Sequence, residues 1–456
     1  MGSTLPSRGC VAEMDQRHAT HNPVRQDEGS VWLDAALVIG RQLMQEAQRS
    51  DGHTSWMGDD LVSDEAATAQ IIYGNVGPGL YSGSAGIGWF LAQLGAYVGD
   101  TDLERTGIAA LSSALSDCKT RLDSSSLSLF SGASGAALVA LQVALRLDRP
   151  NLRRNALSLA KATARHAVAG RLPDEADLIG GLAGIVVALT AMHRLVPDAC
   201  FIDACRLVCD RLVRMRQEDM GGSSWPDVRA GAQAPGLCGL AHGVSGISWA
   251  LYEAAELTGN RQFAEVAMSA LCYERSWFTP TASNWPDLRD APPETDAPGW
   301  PGSMTAWCHG AIGIGTLRWR IYEQSGDLAA LAEAGASIHA ARTLMARARR
   351  ALNEGQPVDV TLCHGLGGAV ELLLLAYEVT SLDEHYRAAH RVGSLCHEIF
   401  LANHGIWTNG LAGAHYVPGL MVGVAGVGTM MLRLHNITAI GSPLLPGRPP
   451  SAAPRL

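Results

Sequence analysis

The sequence predicts an all-α protein, a closed α/α toroid of seven helix pairs in one domain. Three observations carry this. A Gly-x-x-Gly unit recurs seven times, with first glycines at Gly83, Gly132, Gly181, Gly243, Gly310, Gly365 and Gly423. Successive units are 49, 49, 62, 67, 55 and 58 residues apart, room for two helices and two connections. The segments between units are amphipathic, whereas those following each unit are apolar nearly all round.

The amphipathic segments are Leu33–Arg49, Asp102–Asp117, Leu152–Ala167, Phe201–Arg216, Arg261–Arg275, Leu328–Leu352 and Glu384–Phe400. Each mixes polar and apolar residues at helical spacing, which places one face in solvent. The stretches after the glycines, such as Ala136–Leu145 and Ile185–Leu195, have no polar face and belong inside. Alternation of the two kinds describes an outer ring of helices around an inner ring. The glycines have a mechanical reading, since inner helices converge where a Cβ would clash, and a plainer one as loop and cap residues. Either way each marks the start of an inner helix. The domain runs from residue 33 to 438, between a polar extension (1–32) and a Pro-rich tail (439–456).

Composition agrees. Of 456 residues, 47% are hydrophobic and 17% charged, with 50 glycines, which excludes a disordered chain, a coiled coil and collagen. About 150 residues per domain would suggest three domains, but repeat folds run longer as one. A net charge of −9 argues against a general nucleic-acid binder. Met1–Glu28 lacks the apolar region of a secretory signal, and Pro6 stands where a myristoylation motif wants Ser or Thr. The most apolar stretch, Leu178–Met192, is too short to span a bilayer. Ten cysteines in a long chain without a signal read as reduced thiols in the cytoplasm.

The two residues before each unit carry the chemistry. They are Tyr81-Ser82, Phe130-Ser131, Ile179-Gly180, Ala241-His242, Cys308-His309, Cys363-His364 and Met421-Val422. Two cysteines share one column and three histidines the next, all in units four to six. Equivalent positions in a ring face the same end of its cavity. Cys308, Cys363 and His364 would there give Zn²⁺ three preferred ligands and leave its fourth position open, as at a catalytic zinc. The bland reading, cysteines packed as small hydrophobes, suits Cys200, Cys205, Cys209, Cys238 and Cys396 better.

These residues resemble the lanthionine synthetase C-like (LanC-like) peptide cyclases. The likeness rests on Gly-Leu-Ala-His-Gly at 239–243, Ala-Trp-Cys-His-Gly-Ala at 306–311, Leu-Cys-His-Gly at 362–365 and the glycine-rich run at 418–428. Asn-Trp-Pro-Asp-Leu-Arg at 284–289 adds a likeness to the cyclase part of bifunctional class II lanthipeptide synthetases. The resemblance implies a seven-pair toroid with a central zinc held by Cys308, Cys363 and His364. It implies addition of a cysteine thiol to dehydroalanine or dehydrobutyrine in a precursor peptide, closing a lanthionine or methyllanthionine ring. By motif, His242 matches the family's acid/base histidine and Asp177 its active-site aspartate. A hydrogen-bonded structural role for His242, and a helix N-cap or first-turn role for Asp177, stay open.

Two positions depart from many stand-alone cyclases: Met304 replaces an arginine, and His309 replaces a tyrosine. The bifunctional relatives share the histidine, so His309 is a candidate substrate contact or second proton donor. No dehydratase-sized segment precedes Leu33, so dehydration is expected from a separate partner. Two other readings remain: a zinc thiol-transferase that adds glutathione or another thiol to electrophiles, and a non-catalytic peptide-binding scaffold. Other helical toroids, with six pairs and carboxylate-based sites, fit less well.

Overall fold

The computed structural model describes residues 24–63, 69–226, 235–289, 302–411 and 413–448. Inner helices α2 (Ser84–Val98), α4 (Ala133–Arg146), α6 (Leu182–Leu195), α8 (Val244–Thr258), α10 (Ala311–Ser325), α12 (Leu366–Thr380) and α14 (Val424–His435) each follow one glycine unit. Outer helices α3 (Thr101–Thr120), α5 (Pro150–Val168), α7 (Ala199–Met215), α9 (Arg261–Ser276), α11 (Leu328–Asn353) and α13 (Asp383–Ala402) pack on the inner helix preceding them. The outer partner of α14 comes from the other end of the chain: α1 (Val24–Glu46) packs along it. The seventh pair is therefore made by the first and last helices.

Sequence explains the two helix types. Side chains of Asp100, Asp198, Asn260 and Asp327 cap outer helices α3, α7, α9 and α11 by accepting first-turn N–H groups. Inner helices start at a glycine with no side-chain cap. In six of the seven units the amide after that glycine donates instead to the carbonyl six residues before it. Examples are Ala133 N to Ser126 O at 2.7 Å and Leu366 N to Asp359 O at 3.0 Å. The second glycine of each unit answers to a close approach. A Cβ at Gly313 would lie 2.0 Å from Trp307 O in its own loop and 2.7 Å from Leu240 Cβ in the neighbouring unit.

The loops before the inner helices are joined in a closed ring of main-chain hydrogen bonds, unit to unit. Tyr81 N donates to Phe130 O, Phe130 N to Ile179 O, Leu178 N to Ala241 O and Ala241 N to Cys308 O. Trp307 N then donates to Cys363 O, Cys363 N to Met421 O, and Met421 N back to Tyr81 O; all seven fall between 2.8 and 3.3 Å. This ring fixes the column that holds both candidate cysteines.

Strands are a minor addition that helical periodicity did not predict. β1 (Gln48–Ser50) pairs with β2 (His53–Ser55), β3 (Met57–Ser63) with β4 (Ala69–Asn75), and β5 (Gln217–Asp219) with β6 (Gly222–Ser224), all antiparallel. The first and last turn on residue pairs with positive φ, Asp51-Gly52 and Met220-Gly221, as two-residue hairpins require. Each is followed by a tryptophan whose Nε1 donates to a carbonyl near the end of the preceding outer helix: Trp56 to Leu43 O at 2.7 Å, Trp225 to Leu212 O at 2.8 Å.

The C-terminal ends of the inner helices carry buried charge. Arg433 donates to Glu371 at 2.9 Å and to the carbonyls of Ile437 and Ile440, while Ser442 Oγ donates to Glu371 at 2.8 Å. Arg448 pairs with Glu378 and Glu323, and Gln142 Nε2 reaches Pro446 O at 2.6 Å. Ile440, Leu444 and Leu445 are buried. Residues 439–448 thus pack across the inner helices at the end away from the glycine units, and α1 starts at Val24, both differing from the boundaries the sequence suggested. Residues 1–23 of the expected extension and 449–456 of the expected tail lie outside the described residues. No helix among the described residues is long and apolar enough to cross a membrane.

Candidate metal centre and its surroundings

The ring of loops brings Cys308 and Cys363 together from adjacent units, with His364 beside them. One ligand atom from each of the three lies within 4.8 Å of the others. Both thiols are buried and His364 is half-buried. Cys363 and Cys308 share a hydrogen bond that holds the Cys308 thiol well below its ordinary value despite its burial, with His364 adding to the effect. Burial, reinforced by the charge of Cys308, pushes Cys363 well up. Burial pulls His364 down, but its hydrogen bond to Cys308 and the charges of Cys308 and Asp359 together leave it raised.

Two sulfurs and one imidazole, packed together at the inner ends of two helices, suit a borderline-soft cation such as Zn²⁺. A buried thiol pair with one proton already weakly held is also a natural receptor for a cation that needs thiolates. Among the described residues no other set of three such side chains gathers in this way. Cys205, Cys209, Cys238 and Cys396 are buried elsewhere, and Cys200 is half-buried.

Next to this cluster stands a hydrogen-bonded pair from units three and four. His242 Nδ1 lies 2.7 Å from Asp177 Oδ2. The other carboxylate oxygen, Oδ1, accepts Gly180 N–H at 2.9 Å. Asp177 therefore stabilises the turn before α6 and holds His242 at once, while the cap position itself belongs to Gly181. His309 is 2% exposed and stacks on His242, ring centres 5.5 Å apart at 23°. Burial pushes His309 down to about 4, and its Nδ1 has no hydrogen-bond partner. The six residues singled out in the sequence are thus arranged as a Cys-Cys-His cluster and an Asp-His pair, linked through His309.

The structure adds neighbours that the sequence reading passed over. Tyr81, which occupies the cysteine column in unit one, hydrogen-bonds Cys363 across the ring, and burial raises its phenol well above its ordinary value. The Asp359 carboxyl, raised by burial, sits near enough for its charge to act on Cys363 and His364. Arg289 grips Asp287 through Nε and Nη2, and its Nη2 lies 3.0 Å from Met304 Sδ. Its charge reaches His309 and His364, so a guanidinium from another loop stands over the methionine that departs from the family pattern. Tyr81 was findable, since it shares a column with Cys308 and Cys363; Arg289 closes the Asn-Trp-Pro-Asp-Leu-Arg motif, but it stands outside the repeat columns and nothing in the sequence tied it to the ligands.

The profile of the lanthionine synthetase C-like protein family matches residues 74–444, most of the chain and all six of these residues. The chain belongs to the lanthionine synthetase C-like family. Its fold resembles that of nisin cyclase, with a TM-score of 0.61 at 17% identity over 92% of this chain and 98% of that one. The GH76A α-1,6-mannanase from Salegentibacter sp. HEL1_6 aligns at a TM-score of 0.44 and 12% identity, over 90% of this chain and 99% of that one. No curated protein sequence matches. The matched segment contains all seven glycine units and the inner loops that carry the Cys-Cys-His cluster, while α1 lies before it.

Proposed function

We propose that this protein is a zinc-dependent cyclase that forms thioether rings in a dehydrated precursor peptide. The observation that carries the reading is the meeting of Cys308, Cys363 and His364 beside the hydrogen-bonded Asp177–His242 pair. A zinc ion held by Cys308, Cys363 and His364 would keep a substrate cysteine deprotonated and in place at neutral pH.

The reaction adds S–H across the C=C bond of dehydroalanine or dehydrobutyrine: a C–S bond forms at Cβ and a proton arrives at Cα. Two proton movements need a handler. An ionised Asp177 only accepts, so Nδ1 of His242 carries the hydrogen between them and Nε2 keeps its lone pair. His242 takes the thiol proton at Nε2 and returns one to Cα, and Asp177 stabilises the cation formed in between. His309, stacked on His242 and protected from water, fixes the plane of that ring and is a candidate contact for the peptide. We place the protein in the cytoplasm, where its thiols stay reduced, and assign dehydration of the peptide to a separate partner.

The test is a synthetic peptide bearing one dehydroalanine and one cysteine, incubated with zinc-loaded protein. Cyclisation leaves mass unchanged but removes the alkylatable thiol, so N-ethylmaleimide labelling before mass spectrometry reads it directly. Time-dependent loss of labelling supports the reading. Addition of glutathione to the dehydroalanine in preference to the internal thiol would favour a thiol-transferase. Peptide binding without any addition by metal-loaded protein would favour a scaffold.

A further inference from the structure

The unit that bears Cys308 is built differently from the other six, and the difference traces to one side chain. Elsewhere the first amide of the inner helix donates to the carbonyl six residues before the glycine, at 2.7 to 3.0 Å. In unit five the amide of Ala311 donates instead to Asn284 Oδ1 at 2.8 Å. The carbonyl it would have used, Met304 O, accepts from Asn284 Nδ2 at 3.0 Å. One primary amide is thus inserted into a main-chain hydrogen bond, donating on one side and accepting on the other. Oδ1 also accepts Trp285 N at 2.8 Å, and Nδ2 also reaches Thr305 Oγ1 at 3.2 Å.

The inserted amide reshapes the loop. Gly310 takes φ +88°, whereas the corresponding glycines of the other units lie between −100° and −139°. Any Cβ at 310 would fall 1.8 Å from Met304 O, so the opened turn requires glycine. Thr305 bridges to Gly310 across the loop, and Ala306 N donates to His309 O at 3.1 Å. Cys308 and His309 ride on this turn, and His309 is 2% exposed. The clamp is itself fixed: Asn284 is 2% exposed and bridges to Thr279, and Trp285 is fully buried against Phe278.

An internal comparison isolates the cause. Ser223-Ser224-Trp225-Pro226 in unit four parallels Ser283-Asn284-Trp285-Pro286 in unit five, with serine where Asn284 stands. A serine is too short to span the gap, and unit four keeps the direct bond, Val244 N to Leu237 O at 2.9 Å.

We infer that Asn284 is a positioning residue for the centre: by replacing a main-chain hydrogen bond with its amide, it sets the loop that places Cys308 against Cys363 and His364. The metal readout of this inference rests on the zinc reading above; a second readout does not. The variants are Asn284→Ala, which removes all four side-chain bonds, and Asn284→Asp, which keeps the two acceptor bonds and loses the NH₂ donor to Met304 O and Thr305 Oγ1. Asn260→Ala, which uncaps the outer helix α9, is the control for a purely structural loss.

Zinc affinity, by competition with a chromophoric chelator, should fall roughly 10- to 100-fold in Asn284→Ala, less in Asn284→Asp and not at all in Asn260→Ala. Cobalt(II) substituted for zinc should show a shifted thiolate charge-transfer band in both Asn284 variants. In metal-free protein, iodoacetamide labelling mapped by mass spectrometry should rise several-fold at Cys308 in Asn284→Asp and stay level at Cys363. Wild-type affinity and spectrum in both variants, or unchanged Cys308 labelling, overturns the inference. If the wild type takes up neither zinc nor cobalt, the zinc reading falls, and Cys308 labelling alone decides for or against the clamp.

Discussion

Replacing Asp177 with asparagine tests the proton-handling half of the site, and the structure fixes the sign of the result. The Asp177 carboxylate is oriented from two directions, with Oδ1 accepting Gly180 N–H at 2.9 Å and Oδ2 facing His242 Nδ1 at 2.7 Å. An asparagine in the same rotamer must keep its oxygen toward Gly180, because an NH₂ group there would face another donor. Its Nδ2 then points at His242 and donates to Nδ1, which drives the ring hydrogen to Nε2. The nitrogen that should accept the substrate's proton no longer has a lone pair. Positioned acid–base catalysis contributes roughly 10²- to 10⁴-fold, so kcat should fall by about that factor. Asp177→Ala is the comparison. It loses the bond from Gly180 N–H and the charge-assisted hydrogen bond to His242, the latter about 1.5–3 kcal/mol, but leaves the imidazole free to choose its tautomer, so the loss of rate should be roughly ten- to a hundredfold. The assay is the thiol-alkylation time course at saturating peptide, with zinc content measured on the same samples. Asparagine milder than alanine, or a loss of rate that merely tracks lost zinc, would refute the tautomer argument.

Cys308→Ala and Cys363→Ala should each abolish stoichiometric zinc, read by metal analysis of reduced protein, whereas His242→Asn should retain zinc and lose rate. Zinc affinity should weaken as pH falls from 8 to 6, with at least about one proton released on binding at neutral pH, because Cys363 is pushed up by burial and must give up its proton. Calorimetry in buffers of different ionisation enthalpy reads that proton, and pH-independent affinity would contradict thiolate ligation. Arg433→Met strands Glu371 in the interior and leaves Glu378 to Arg448 alone, and should destabilise the fold by ~3–5 kcal/mol in urea titrations, freeing residues 439–448 for proteolysis. Trp225→Phe leaves Leu212 O without its buried donor and should cost about 1–3 kcal/mol, with zinc content unchanged.

The helix pairs and the ligand set were legible because both repeat. Seven glycine units set the inner helices, and aligning on them put Cys308 above Cys363 and His242 above His364. The same alignment held a further column: Leu80, Leu129, Leu178, Leu240, Trp307, Leu362 and Leu420, all at most 1% exposed, precede the glycines by three residues and pack the ring. What escaped the reading was local or non-periodic. The hairpins rest on two-residue turns, where Asp51-Gly52 was a visible signal and Met220-Gly221 a poor one. Residues 439–448 look like a tail because prolines and small residues dominate, yet Arg433 and Glu371 reach out of the helices to hold them. The Asn284 clamp acts between segments some twenty residues apart, through one amide that no periodic pattern announces.

The pairing of α1 with α14 bears on how the molecule is made. Six helix pairs are neighbours along the chain and can form as each is synthesised; the seventh joins segments separated by nearly the whole sequence. By the logarithmic rule, closing such a loop costs about 2–3 kcal/mol of chain entropy beyond pairing two neighbouring helices. The seventh pair cannot form until α14 has been made, and until then the surface of α1 that packs on α14 has no partner there. The candidate ligands need not wait, because they span adjacent units five and six, and Asn284 belongs to the connection that leads from α9 into unit five. A chain made as far as unit six already carries all three candidate ligands, so cation uptake and ring closure are separable events.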